Sequence, residues 1–154
     1  MSAMLEDGVP EFRPMREEDL DAVMEIEKAV YPSPWTVGIF RDCMRVGYYC
    51  QVLERNGLLE AYGALSHGAG EAHILNLCVH PKSQRQGLGR IMLKNLIDAA
   101  KRLSAEIVLL EVRPSNKVAV RLYLSMGFNE AGCRKDYYPH EKGREDALIF
   151  AMNL

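Results

Sequence analysis

The chain has 154 residues, 48% hydrophobic and 26% charged, which suits one domain with a substantial buried core. Its formal net charge of -2, with acids and bases interspersed, supplies no basic field for duplex nucleic acid, and no apolar run approaches the ~20 residues needed to cross a bilayer. Cys43, Cys50, Cys78 and Cys133 are widely spaced without a Cys-x-x-Cys pair, and the N-terminus lacks the basic-then-apolar order of a signal peptide, so a reduced, cytoplasmic protein without a disulfide framework or zinc knuckle is expected.

Residues 1–10 hold Gly8 and Pro10 among mixed polar residues without a period and are expected to be frayed; residues 1–154 are otherwise expected to form a single domain. Residues 12–15 suit a short strand. Glu17, Glu18 and Asp19 then open a helix whose Leu20, Val23, Met24, Ile26 and Glu27 lie at helical spacing. The acids of this helix (Glu17, Glu18, Asp19, Asp21, Glu25 and Glu27) read as a solvated face or as a surface that steers a basic partner. Tyr31-Pro32-Ser33-Pro34-Trp35-Thr36 breaks the helix, because Pro32 and Pro34 lack backbone donors, and a second short helix follows over 37–44. Trp35, the single tryptophan, is either an aromatic plug over the core or a wall of a substrate groove.

Residues 48–55 and 58–66 are β-rich runs joined by Asn56-Gly57, a strong hairpin signal, and 71–79 continues an antiparallel meander. At 79–90 an apolar run stops, a polar loop turns, and an amphipathic helix begins that reaches Leu103, with Leu88, Ile91, Met92, Leu96, Ala99, Ala100 and Leu103 on one face. Gly87 and Gly89 at such a helix start suit either a flexible entry or an anion cradle made of free N–H groups and the helix dipole, with Arg85 and Arg90 adding charge. The glycine spacing meets neither the P-loop nor the Rossmann pattern. Residues 107–112 form a nearly continuous apolar run, expected to be a strand buried on both faces and parallel to the strand before the helix crossover. A short helix runs from 114–116 to a left-handed cap at Gly127, and strands over 128–138 and 147–152 follow, joined by a polar 139–146 loop.

Glu111 interrupts the apolar run. It is either a strand-end carboxylate paired with a cation such as Arg113, or a general base whose pKa is raised by partial burial. Tyr123, seven residues after Asn116, would share a helix face with it, as a proton donor beside an amide-binding Asn116; the alternatives are a core tyrosine and an N-cap. Backbone donors of Leu77, Cys78 and Val79 would serve a carbonyl and its oxyanion if the strand splays, and Cys78 reads as a small buried hydrophobe more readily than as a covalent nucleophile. Tyr137 and Tyr138 form an aromatic edge or sheet-surface packing. His67, His73, His80 and His140 show no metal-ligand spacing, so no metal is expected.

In order, Pro34-Trp35-Thr36, Asn76-Leu77-Cys78-Val79, Gln84-Arg85-Gln86-Gly87-Leu88-Gly89, Leu110-Glu111-Val112-Arg113, Ser115-Asn116, Leu122-Tyr123, Met126-Gly127-Phe128 and Tyr137-Tyr138-Pro139 resemble the GCN5-related N-acetyltransferase (GNAT) family over residues 12–152. The resemblance implies an α/β (α+β) GNAT fold: a mixed, mostly antiparallel sheet of about seven strands, with helices on both faces and a splay between the fourth and fifth strands that holds acetyl-CoA. It is strongest to a bacterial branch that acetylates the N-terminal alanine of a small-subunit ribosomal protein. By matching position, the resemblance implies Glu111 as base, Tyr123 as acid, the amides of Arg85, Gln86, Gly87, Leu88, Gly89 and Arg90 as pyrophosphate ligands, and Gln84 as part of the same cofactor site. Leu77, Cys78, Val79, Asn116 and Tyr123 would meet the acetyl-pantetheine arm, while Trp35, Tyr137 and Tyr138 would line the peptide site. Gln86 stands where a second arginine is common, and Pro114 where alanine is common. The partner implied is a protein with a free N-terminal alanine, met by a monomer or weak dimer without nucleic acid, membrane or metal. Acetylation of another amine (lysine, polyamine or antibiotic) and a silent acyl-CoA-binding module are the rival readings.

Overall fold

A computed structural model describes residues 8–140 and 143–154. The elements are β1 (Glu11–Pro14), a 3-10 turn (Glu17–Asp19), α1 (Leu20–Val30), α2 (Val37–Arg45), β2 (Tyr49–Arg55), β3 (Leu58–Gly68), β4 (Glu71–Val79), a 3-10 turn (Pro81–Ser83), α3 (Leu88–Arg102), β5 (Ile107–Val112), α4 (Lys117–Ser125), β6 (Asn129–His140) and β7 (Gly143–Asn153). The frayed start expected for 1–10 lies largely outside the described residues; Gly8, Val9 and Pro10 carry no regular element. No helix among the described residues is long and apolar enough to cross a membrane.

The strands form one sheet of order β1-β2-β3-β4-β5-β7-β6. The β1–β2, β2–β3, β5–β7 and β6–β7 pairs are antiparallel, and β4–β5 is parallel, as a helical crossover between them requires. The parallel pairs run from Glu71↔Ile107 to Ile74↔Leu110 and stop there, although β4 continues to Val79. Asn56 and Gly57 join β2 to β3 with φ of 54° and 77°, the double left-handed turn that an Asn-Gly hairpin uses.

The chain folds as two compact units. The first runs to Leu65 and resumes with Asn76–Leu96. Its core gathers Val23 and Ile26 of α1, Phe40 of α2, Val52 and Leu53 of β2, Tyr62 and Leu65 of β3, and Met92, Leu93 and Leu96 of α3. There α3 approaches β3 closely: a Cβ on Gly63 would sit 3.0 Å from Leu96 Cδ1 and 3.1 Å from Met92 Sδ. The apolar face of α3 is therefore centred on Met92 and Leu96 and includes Leu93. Ile91 and Leu103, expected on that face, are each 41% exposed, and Ile91 lies about 140° around the helix from Leu96.

The second unit comprises Ser66–Leu75 and Ile97–Leu154. Its core holds Ile74, Val108, Leu110, Val112, Tyr123, Phe128 and Phe150. The strand expected to be buried on both faces is not: β5 alternates, with Val108, Leu110 and Val112 buried and Ile107, Leu109 and Glu111 only half-covered. Glu111 belongs to the half-covered face, where a carboxylate is tolerated. The loop expected over 139–146 is also corrected. Tyr138↔Glu145, Pro139↔Arg144 and His140↔Gly143 extend the β6–β7 ladder through it, leaving only residues 141 and 142, which lie outside the described residues. Polar side chains hold this extension, because Arg144 donates to the carbonyls of Asp136 (2.7 Å) and Tyr137 (3.0 Å).

The acidic helix is not a uniformly solvated face. Asp19 is buried and receives two hydrogen bonds from Arg13 (2.7 and 2.8 Å), and Glu27 is 1% exposed. Glu17 pairs with Arg41 at the surface.

Candidate active site

At the end of β4 the backbone turns on His80. Its N–H donates to the Glu60 carbonyl (2.8 Å), its carbonyl accepts from Ser83 N–H (2.8 Å), and its Nδ1 accepts from Lys82 N–H (3.0 Å). Gln84 Nε2 donates back to the Val79 carbonyl (3.2 Å). Arg85 (φ 66°) and Gly87 (φ 79°) then carry the chain through the left-handed region into α3. A Cβ on Gly87 would meet nothing within 4 Å, so the dihedral, not crowding, calls for glycine, and the space beside it is open. The first turn of α3 carries no acidic residue. The first turn of a helix presents N–H groups and a positive helix end, which suit a phosphate. Gln86 is itself anchored: Arg55 of β2 holds Glu60 (2.7 and 2.9 Å) and donates to Gln86 Oε1 (3.1 Å).

Along β4, Leu77 and Val79 are half-exposed while Asn76 and Cys78 are buried, the alternation of a pleated strand. The Leu77 carbonyl accepts from the Tyr31 hydroxyl (2.6 Å). Burial pushes the Cys78 thiol up to about 12, which supports the small-hydrophobe reading over a nucleophile. Trp35 meets Phe40 in a tilted pair at 5.0 Å, and Phe40 meets Tyr62 at 5.7 Å, so the Trp35 ring is part of an aromatic chain over the first unit's core.

In the second unit Glu111 is the centre of a polar cluster. Its Oε1 lies 3.5 Å from His73 Nε2 and 3.4 Å from Arg134 Nε, with 15% of its side chain exposed, and the Tyr137 hydroxyl is hydrogen-bonded to it. Arg113, the cation considered as its partner, pairs instead with Glu145 (3.3 Å) and lies 4.4 Å over the Tyr138 ring. Ser115 donates its N–H and its hydroxyl to the same Glu145 (both 2.9 Å). Burial first, and then the Glu111 charge, raises both phenols, that of Tyr138 to about 12. Tyr137 reaches Glu111 because β6 bulges: between the Arg134↔Ala147 and Tyr138↔Glu145 pairs, four residues of β6 advance against two of β7, with Asp136 at φ 53°.

Tyr123 is 7% exposed and packs edge-on against Phe128 (5.8 Å) and Phe150 (6.2 Å). Asn116 does not share its helix face. It is the N-cap of α4, with non-helical φ and ψ of -82° and 73°, and its Oδ1 accepts from Ala119 N–H (3.2 Å). Two turns of helix therefore do not relate Asn116 to Tyr123. Gly127 closes α4 at φ 104°. Among the described residues no group of three or more His, Cys, Asp or Glu side chains gathers for a metal ion.

Residues 20–128 match the acetyltransferase (GNAT) family. The chain belongs to the GNAT family. It is similar to the [ribosomal protein bS18]-alanine N-acetyltransferase of Escherichia coli (strain K12), 41% identical over 136 residues, or 88% of this chain and 92% of that protein. The protein of the same name from Haemophilus influenzae is 32% identical over 137 residues, covering 88% and 93% of the two chains. The crystal structure of the ribosomal-protein-S18-alanine N-acetyltransferase from Escherichia coli superposes with a TM-score of 0.87 at 38% identity, covering 94% of each chain.

Within this GNAT chain, sequence reasoning missed Glu27, His73, Arg134 and Glu145. His73 is in register with Leu109, two residues before Glu111 on the same face of β5, so a correct β4–β5 register would have found it. Arg134 and Glu145 depend on the β6 bulge and had no local signal.

Proposed function

We propose that this GNAT protein transfers the acetyl group of acetyl-CoA to the α-amine of the N-terminal alanine of ribosomal protein bS18. The observation that carries the reading is the name, [ribosomal protein bS18]-alanine N-acetyltransferase, of relatives 41% and 32% identical over nearly their whole length. Acetyl-CoA supplies an acetyl group activated as a thioester. The Gly87 turn and the first turn of α3 fit its pyrophosphate, because they combine open space, positive φ and an absence of acidic side chains.

In this reading Glu111 accepts a proton from the α-ammonium, directly or through a water, and passes it to solvent; the freed nitrogen lone pair forms the new C–N bond, and as the C–S bond breaks the nitrogen sheds its second proton to solvent. Tyr123 donates its proton to the departing sulfur and regains one from solvent. The 85–90 amides hold the pyrophosphate, the backbones of Leu77 and Val79 meet the pantetheine arm and the acetyl carbonyl, and Trp35, Tyr137 and Tyr138 line the peptide. We place the enzyme in the cytoplasm as one catalytic domain, a monomer or weak dimer. Asn116, whose side-chain oxygen caps α4, retains its amide nitrogen for the ligand.

Incubating the purified protein with acetyl-CoA and two peptides tests this. One peptide starts with a free alanine; the other is α-blocked and contains lysine. Mass spectrometry should find the acetyl group on the free-alanine peptide alone. Modification of lysine alone overturns the α-amine assignment, and modification of neither favours an acyl-CoA-binding module.

A further inference from the structure

The feature that this mechanism leaves unused is the buried carboxylate of Glu27. A carboxylate at 1% exposure is costly to desolvate, and such groups are ordinarily paired with a cation. Here its donors are neutral and come from three other segments. Oε1 accepts from the Tyr62 hydroxyl of β3 (2.5 Å) and from Asn76 Nδ2 of β4 (3.0 Å); Oε2 accepts from the Trp35 N–H (2.9 Å). Asn76 must turn its nitrogen to the carboxylate, and its Oδ1 is left buried without a partner among the described residues. The same residue also holds the other end of the segment, since the Glu27 carbonyl accepts from the Tyr31 N–H (3.0 Å). The hinge between α1 and α2 contains Pro32 and Pro34, which have no N–H to give, so few backbone bonds are available to fix it. Glu27 therefore brackets the hinge at Tyr31 and Trp35, and the Tyr31 hydroxyl adds a bond to Leu77 of β4.

We infer that Glu27 is a positioning residue for the acceptor: by clamping residues 31–35 to β3 and β4 it presents Trp35 as a preformed wall for the first residue of the incoming peptide. This rests on the proposed role of Trp35 in peptide binding. Preorganising a wall lowers the ordering cost of binding, so its loss appears in peptide KM and leaves acetyl-CoA binding alone.

The single tryptophan makes the hinge directly visible, because Trp35 is the only indole fluorophore. The test compares wild type with Glu27→Leu, Glu27→Gln, Tyr31→Phe and Tyr62→Phe below their thermal transitions. It reads Trp35 emission, then KM and kcat for the free-alanine peptide, and KM for acetyl-CoA. Glu27→Leu should red-shift the emission and raise peptide KM about tenfold, with kcat and acetyl-CoA KM within about twofold. Glu27→Gln should stay near wild type: its oxygen still accepts from Trp35 N–H, and its nitrogen can meet Asn76 Oδ1 once that amide flips. Tyr62→Phe removes the link to β3 but spares the Trp35 bond, so it should move both readouts less than Glu27→Leu does. If Glu27→Leu does not fold, Tyr31→Phe decides, with an expected smaller shift of the same kind, about threefold in peptide KM. Unchanged emission, or shifted emission with unchanged peptide KM, overturns the inference. Wild type that turns over a different amine instead of the alanine peptide overturns only the proposed acceptor, and the same split is then read on that amine.

Discussion

Glu111 stands among Leu110, Val112 and Leu109 in sequence, yet its carboxylate faces a histidine, an arginine and a tyrosine. His73 and Arg134 both approach its Oε1, and the proposed base role needs a carboxylate held in this way. Glu111→Gln preserves the shape and removes the proton acceptor, so kcat should fall about 100-fold or more while acetyl-CoA KM stays within about twofold, in steady-state kinetics. Tyr123→Phe fits the same aromatic cluster with Phe128 and Phe150, so the fold should be kept. Its kcat should fall by about tenfold or more with little change in acetyl-CoA affinity, and an unaltered kcat contradicts the acid role. At this scale Glu111 was legible because a charge interrupting an apolar run must have a partner or a purpose. Its neighbours were not, since His73 comes from the register of β4 and Tyr137 from a bulge.

At the scale of elements, the strands and helices follow from period, Asn-Gly and proline punctuation, and most boundaries fall within a residue or two of the expected ones. Two of the departures share one cause, a polar sequence that the fold pairs and buries instead of leaving as loop or solvated face. Residues 143–146 are strand because Arg144 and Glu145 find cross-strand partners, and Asp19 and Glu27 are buried because Arg13, Tyr62, Asn76 and Trp35 satisfy them. Two substitutions probe elements that serve the site. Asp136→Val places a β-branched residue at φ 53°, which costs about 1–2 kcal/mol and should displace Tyr137, lowering kcat; Asp136→Gly should be tolerated. Gly87→Ala meets no steric contact but must adopt φ 79°, so acetyl-CoA KM should rise severalfold with peptide KM unchanged.

At the scale of the whole molecule, the pair that joins β1 to the start of α1 gives folding a pH dependence. Hydrogen bonds from Arg13 hold the Asp19 carboxyl below the usual carboxylate range. The unfolded chain then binds more protons than the folded one as pH falls below the ordinary value near about 4, so stability rises with pH through that window. The contribution is complete above the unfolded pKa and is lost as pH drops through the lower folded one. Urea melts of wild type and Asp19→Asn should differ by about 2–3 kcal/mol at pH 7 and converge in acid; a difference constant with pH contradicts the linkage.

The most direct measurement uses the intact acceptor. Ribosomal protein bS18 with a free N-terminal alanine is incubated with acetyl-CoA and either wild-type enzyme or Glu111→Gln, and the product is mapped by peptide mass spectrometry. The account predicts one acetyl group on the terminal α-amine, formed at a rate at least about 100-fold greater with wild type. Acetylation on lysine side chains, or equal rates for the two enzymes, would contradict it.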